Sequence, residues 1–197
     1  MQIRLATVDD APSVQAIYAP YVTDTIISFE MTPPGVEEMA ARIRKTVSQY
    51  PWLVCVTDDQ QTCGYVYASS YSDRAAYQWS VNVSVYISSN YQRRKIGRGL
   101  YTTLFELLRA QGYINAYAGI SLPNPASVGI HEAFGFQPVG VYQKVGYKFG
   151  AWHDVGWWAM SLTPPNGEPL PPRAITELVD TPVWSNAVQT GLTFIRG

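Results

Sequence analysis

In "IRLAT", positions 3–7, apolar and polar residues alternate with the period of a strand that buries one face. "VDDAPSV" then offers Asp9 or Asp10 as the N-cap of a helix ending near Tyr18. "APYVTDTIISFEMTPP" keeps no period and predicts an irregular segment over a surface cleft. Helical spacing returns in "GVEEMAARIRKTVSQY", where early glutamates and later basic residues suit the helix dipole. "WLVCV" and "CGYVYAS", joined by the turn "TDDQQT", predict a hairpin.

Beyond the loop "SYSDRAAYQW", the Val- and Tyr-rich "VNVSVYIS" predicts another strand. In "LYTTLFELLRAQG", Leu100, Leu104, Leu107 and Leu108 fall on one helical face and Gly112 is the stop. "YINAYAGI" predicts a strand, and "NPASVGIHEAFG" a short helix closed by Gly135. "PVGVYQKVGYK" and "DVGWWAMSL" are two late strands. This order predicts one α/β domain over 1–163, with a mixed central sheet flanked by helices. Residues 164–197 open with "PPNGEPLPPR" and hold one short pattern, "AITELV". A Pro-rich tail of this size does not fold alone, and is expected to pack on the domain or on a partner subunit.

Composition narrows the function. With 197 residues, 47% of them hydrophobic, the chain can build one proper core. A net charge of −1 exerts no long-range pull, so neither nucleic acid nor an anionic membrane is expected as a partner. No apolar run approaches the roughly 18 residues of a spanning helix, and "MQIRLATVDD" does not read as a signal segment; a cytoplasmic protein is expected. Cys55 and Cys63 fit buried thiols on neighbouring strands. His131 and His153 have no ligand spacing around them, so no metal site is expected. Six Trp and fourteen Tyr exceed what packing demands and imply a lined pocket or an interface.

Between a strand and a helix stands Arg94-x-x-Gly97-x-Gly99. Glycines at a helix start let free N–H groups converge on a phosphate. The order Gly-x-Gly-x-x-Gly and the ending Gly-Lys-Ser/Thr are both missing, so dinucleotide and P-loop fingerprints fail. The spacing alone leaves a solvated basic turn open as well. The longer stretch "VYISSNYQRRKIGRGLYTTL" resembles the acetyl-CoA motif of the GNAT superfamily of N-acetyltransferases. "AGISLPNPASVGIHEAFGFQPVG" and "VGYKFGAWHDVGWW" resemble its phosphinothricin and methionine sulfoximine branch, and the likeness runs from about Ile3 to Leu162. It implies the GNAT-type acyl-CoA N-acyltransferase fold, acetyl-CoA as cosubstrate, a small amino-acid-like amine as acceptor, and a homodimer.

The resemblance also implies roles. The backbone of Val85, Tyr86 and Ile87 would pair with the pantetheine arm. Arg93, Arg94, Gly97, Arg98 and Gly99 would surround the pyrophosphate; Arg94 and Arg98 match the loop best, and Arg93 and Lys95 also read as solvated charges. Asn124 is a contact to the cofactor arm or an N-cap, and Ser127 is a weaker contact one turn on. Phe29, Glu30, Arg74 and Tyr77 would hold the acceptor, with Arg74 as a fork for its anionic group. Glu30 would attract the ammonium, or merely face solvent. The resembling enzymes carry a glutamate where this chain has Asn82, and an amide cannot take up the proton. Losing a general base costs about 10² to 10⁴ in rate. His131 is the candidate to accept the proton or serve the leaving thiolate, whereas His153 reads as structural. The alternatives are a weak or inactive acetyl-CoA-binding or ligand-sensing protein on the same fold, and an enzyme acetylating protein amines.

Overall fold

The computed structural model describes residues 1–165 and 167–196; Asn166 and Gly197, both within the predicted tail, lie outside the described residues. Its strands are β1 (Gln2–Leu5), β2 (Trp52–Val56), β3 (Thr62–Ser70), β4 (Ser80–Ile87), β5 (Asn115–Leu122), β6 (Gln137–Lys148) and β7 (Ala151–Ser161). They form one sheet in the order β1-β2-β3-β4-β5-β7-β6. Every neighbouring pair is antiparallel except β4 with β5, which run parallel.

Helices cover both faces. α1 (Ala11–Thr23) and α2 (Val36–Thr46) lie on one face, with Val14, Ile17, Met39 and Ile43 buried among Val54, Val56 and Tyr65. On the other face α3 (Ile96–Gln111) sets Leu100, Leu104, Leu107 and Leu108 against Leu53, Val66, Val81 and Val83. Each fully buried leucine contributes about 1.5–3 kcal/mol, so this four-leucine face anchors the whole helix. Sheet alternation explains both clusters: on β4, Val81 and Val83 point to α3, and the side chains between them point the other way. Cys55 and Cys63 are free, buried thiols on β2 and β3.

Two elements depart from the expectation. α1 does not stop near Tyr18 but continues through Pro20 to Thr23, because Val22 extends the buried stripe of Val14, Ile17 and Tyr18. Proline removes one helical donor at that point, yet Asp24 N–H still bonds to the Pro20 carbonyl at 2.9 Å. The tail contains a further helix, α5 (Pro182–Leu192), which Thr181 caps by accepting from Trp184 N–H at 3.3 Å. α5 packs on α3, and Trp184 and Ala187 join the core beneath it. Trp184 therefore serves this chain's own core rather than an exposed contact face. Among the described residues no helix is long and apolar enough to cross a membrane.

The sheet feature that positions the site is a wedge. β4 and β5 pair only from Ser80↔Asn115 to Asn82↔Tyr117, although β4 continues to Ile87 and β5 to Leu122. Beyond Asn82 the two strands diverge, and α4 (Pro125–Ala133) follows the open end of β5.

Candidate active site

The wedge opens into a groove of about 490 Å³ lined by Val85, Ile87, Arg93, Gly97, Arg98, Asn124, Ser127 and Ile130, among others. Free backbone groups on the diverging strand face one side, since β4 has no ladder partner there past Asn82. At the other side α3 begins at Lys95 without a side-chain cap, so its first-turn N–H groups remain open to an anion. A Cβ on Gly97 would lie 3.1 Å from Ile130 Cδ1, which is why this wall carries no side chain. Open donors, a glycine wall and two guanidinium groups fit a pyrophosphate-linked thioester such as acetyl-CoA. Asn124 is the cap of α4, its Oδ1 accepting from Ser127 N–H at 3.1 Å, and the residue also lines the groove.

Two of the expected phosphate residues, Arg94 and Gly99, sit differently, and on β4 the Tyr86 ring leaves the wedge to its backbone, as expected. Arg94 does not line the groove; its guanidinium lies 5.2 Å from the Tyr91 ring centroid. Tyr86 points away, its ring edge-on to Tyr18 and Tyr21 at 5.0 and 5.1 Å, leaving only its backbone for the wedge. Gly99 faces the tail, where an added Cβ would meet the Gly191 carbonyl at 2.7 Å. Its smallness lets α3 and α5 touch and is not spent on a phosphate.

At the floor of the wedge, His131 and Tyr101 line a narrow crevice with Val83, Ser84 and Ser121. His131 is 4% exposed, and burial pushes its pKa below the ordinary imidazole range despite the hydrogen bond to Ser127. Its Nδ1 lies 2.7 Å from the Ser127 carbonyl, an acceptor only, so Nδ1 carries the hydrogen. Nε2 is then a lone pair that accepts from the Tyr101 hydroxyl at 2.8 Å. Tyr101 was hidden in the sequence among the leucines of a buried helical face. Asn82, at the apex of the wedge, donates from Nδ2 to the Ser70 carbonyl at 3.1 Å, and its Oδ1 is buried without a protein partner.

The chain is similar to known proteins over most of its length. Residues 3–157 match the family model described as the acetyltransferase (GNAT) domain. The chain belongs to the GNAT acetyltransferase family. It is 36% identical over 178 residues to the phosphinothricin N-acetyltransferase of Streptomyces viridochromogenes, covering 90% of this chain and 96% of that one. It is 32% identical over 168 residues to the L-methionine sulfoximine/L-methionine sulfone acetyltransferase of Pseudomonas aeruginosa, covering 85% and 98%. Among solved structures, the GNAT superfamily phosphinothricin acetyltransferase of Sinorhizobium meliloti, in complex with acetyl-CoA, superposes with a TM-score of 0.80 at 31% identity, covering 86% of this chain and 95% of that one. This chain is thus an acetyl-CoA-dependent acyltransferase with a mixed α/β fold.

The acceptor side of this GNAT chain is less assembled. Phe29 packs on the β6–β7 hairpin, where Gly146 makes room for its ring and His153 lies 6.3 Å away between centroids. His153 itself bonds through Nε2 to the Lys148 carbonyl at 2.9 Å, which turns the hairpin corner. Glu30 is not free for an ammonium: Arg42 approaches both its oxygens at 2.7 and 3.2 Å, and Tyr18 donates at 3.0 Å. Burial opposes its charge, but these hydrogen bonds outweigh that and hold the carboxyl below its usual range. Arg74 and Tyr77 are exposed on the loop before β4, with the Tyr77 ring 5.5 Å from Tyr71. None of the four lines the groove or the crevice. Two residues not singled out in the sequence tie this side together. Arg42 bridges α2 to Glu30, and the buried Lys148 ammonium donates to the carbonyls of Val22 and Ser28, both at 2.6 Å. Among the described residues no group of three or more His, Cys, Asp or Glu is placed to hold a metal ion.

Proposed function

We propose that this chain acetylates the amino group of a small amino-acid-like acceptor of the phosphinothricin or methionine sulfoximine and sulfone type, working as a homodimer. The observation that carries the reading is the Tyr101–His131 pair at the floor of a wedge that accommodates the cosubstrate arm. The names of the similar enzymes support the acceptor class. The homodimer is supported by the β6–β7 hairpin, which exposes Val139, Val141, Tyr142, Val145, Tyr147 and Trp152 on one flank of the sheet. Light scattering at low micromolar concentration is expected to return twice the 21.9 kDa chain mass, and a monomer would reject the assembly.

Acetyl-CoA supplies the acyl group as a thioester when bound. The chain must hold its phosphates and manage two protons, because an ammonium sheds both on becoming an amide and only one ends on the thiol. The α3 N–H groups, Arg93 and Arg98 would hold the pyrophosphate, and the unpaired backbone of β4 would hold the arm. An α-amine with a pKa of about 8 arrives mostly protonated near neutrality. Asn82, an amide, cannot take that proton. The proton passes to the Tyr101 oxygen as the Tyr101 hydrogen moves to His131 Nε2, leaving a neutral amine and an imidazolium. The neutral amine would attack the thioester carbonyl to form the C–N bond; as the C–S bond breaks, the reverse shift would return one proton to sulfur, and the second proton shed by the nitrogen would leave to solvent. Burial keeps His131 neutral beforehand, which is the form this route needs.

Thiol release, followed across pH 6 to 9 with phosphinothricin as acceptor, tests the route. His131→Ala and Tyr101→Phe should each lower kcat/KM by about 10²-fold or more, and Asn82→Glu should change it little. If both losses are absent and Asn82→Glu accelerates by about 10²-fold, the missing carboxylate is the limiting group and the Tyr101–His131 route is rejected.

A further inference from the structure

The tail ends on the loop that opens α3. Residues Phe194, Ile195 and Arg196 follow α5, and each contacts that loop. The Arg98 guanidinium lies 4.8 Å from the centroid of the Phe194 ring. A Cβ on Gly99 would stand 2.6 Å from Ile195 Cγ1. Arg196 N–H donates to the Arg94 carbonyl at 3.0 Å. The docking beneath them is close: Gly99 and Gly191 meet backbone to backbone, and Thr103 Oγ1 donates to the Ala187 carbonyl at 3.3 Å.

The loop needs such support. Arg93 and Lys95 both stand in the left-handed region, with φ of 61° and 59°, a conformation that costs free energy for a residue with a side chain and persists only where neighbours enforce it. Arg94 lies between them, and its carbonyl is the one the tail clasps. Arg98 is exposed and lines the groove, so without the ring beside it a long guanidinium arm would sample many rotamers.

We propose that Phe194 is a positioning residue for the cosubstrate: the C-terminal segment braces the phosphate loop and holds Arg98 toward the pyrophosphate. The inference rests on the reading of acetyl-CoA as cosubstrate and adds the tail to its binding apparatus. The brace acts through Arg94, Arg98 and Gly99, at the phosphate end of the groove, and not through the Tyr101–His131 pair. It therefore acts on affinity for donors that carry a pyrophosphate and leaves the transfer step alone.

Calorimetry with CoA and steady-state kinetics with two donors, acetyl-CoA and S-acetylpantetheine, test it. Phe194→Leu keeps an apolar filler but removes the ring. It should weaken CoA binding and raise the acetyl-CoA KM by about three- to fivefold, with kcat within about twofold. S-Acetylpantetheine has no pyrophosphate, and its kcat/KM should not move. Phe194→Tyr should restore the wild-type values, and ending the chain after Thr193 should exceed the effect of Phe194→Leu. Equal CoA affinity in wild type and Phe194→Leu overturns the proposal, as does an equal loss with both donors, which would mark a merely structural contact. Calorimetry reads the brace without turnover. A chain that binds CoA but transfers nothing to the acceptor would sink the functional reading alone, and one that binds no CoA would sink both.

Discussion

The two halves of the site are built differently. The donor half draws on one run of sequence, β4 through α4, and a single chain brings Val85, Ile87, Arg93, Gly97, Arg98, Asn124 and Ser127 to one groove. The acceptor half draws on Phe29 and Glu30 after α1, Arg74 and Tyr77 on a loop, and the β6–β7 hairpin, and these stay apart or exposed. The difference follows from what each half must recognise. A pyrophosphate and an amide-bearing arm are met by backbone groups, which the fold supplies whatever the side chains are. A particular small zwitterion is told from others by side chains on variable loops.

The largest expected effect breaks the donor half alone. Gly97→Val places branched carbons where even a Cβ is within 3.1 Å of Ile130, and should lower CoA affinity by about 10²-fold or more in calorimetry. Unchanged affinity would show that the groove is not the phosphate site. A smaller loss should appear on the acceptor side only. Arg74→Ala is expected to lower kcat/KM for phosphinothricin by about 10- to 100-fold, the worth of a charge-assisted fork, with CoA binding intact. Equal kinetics for the two proteins would remove Arg74 from the acceptor site.

The smallest effect is in pH: both shifts are downward, and the halves differ in the pH at which each loses its contribution. His131 is held below its unfolded value of about 6.5, so its contribution is present above that pH and is lost as pH falls below it. Glu30 is also depressed, and the stability it contributes is present above the usual carboxylate pKa and lost only as pH falls through its lowered folded value. On acidification the donor half should weaken first. Thermal midpoints should fall from pH 6.5 to 5 in wild type and fall less in His131→Gln; parallel curves would contradict the buried, neutral imidazole.

Much of the fold was legible because burial imposes a period, as with Leu100, Leu104, Leu107 and Leu108 on α3. The end of α1 was not, because Pro20 reads as a breaker while the buried stripe carries on to Val22. α5 was missed although Thr181 and Pro182 spell a helix start and Trp184, Val188 and Leu192 recur at helical spacing, since its closest approach to α3 is made by Ala187 and Gly191, small residues that add little to an apolar stripe. The same contact misplaces Gly99, whose spacing reads as a phosphate glycine but whose neighbour is another helix. Tyr101 looks like any core aromatic until its hydroxyl is found on His131. Glu30 reads as a free carboxylate because Arg42 lies twelve residues away, across an irregular segment.

Lys148 has a consequence for how this enzyme can change over generations. By holding the carbonyls of Val22 and Ser28, it rivets the segment carrying Phe29 to the corner of the hairpin proposed to meet a second copy. A mutation that reshapes the hairpin to alter subunit pairing also drags the wall beside the acceptor. If the hairpin pairs two copies and this wall meets the acceptor, as proposed, selection for a new acceptor and selection for a firmer assembly draw on the same few residues.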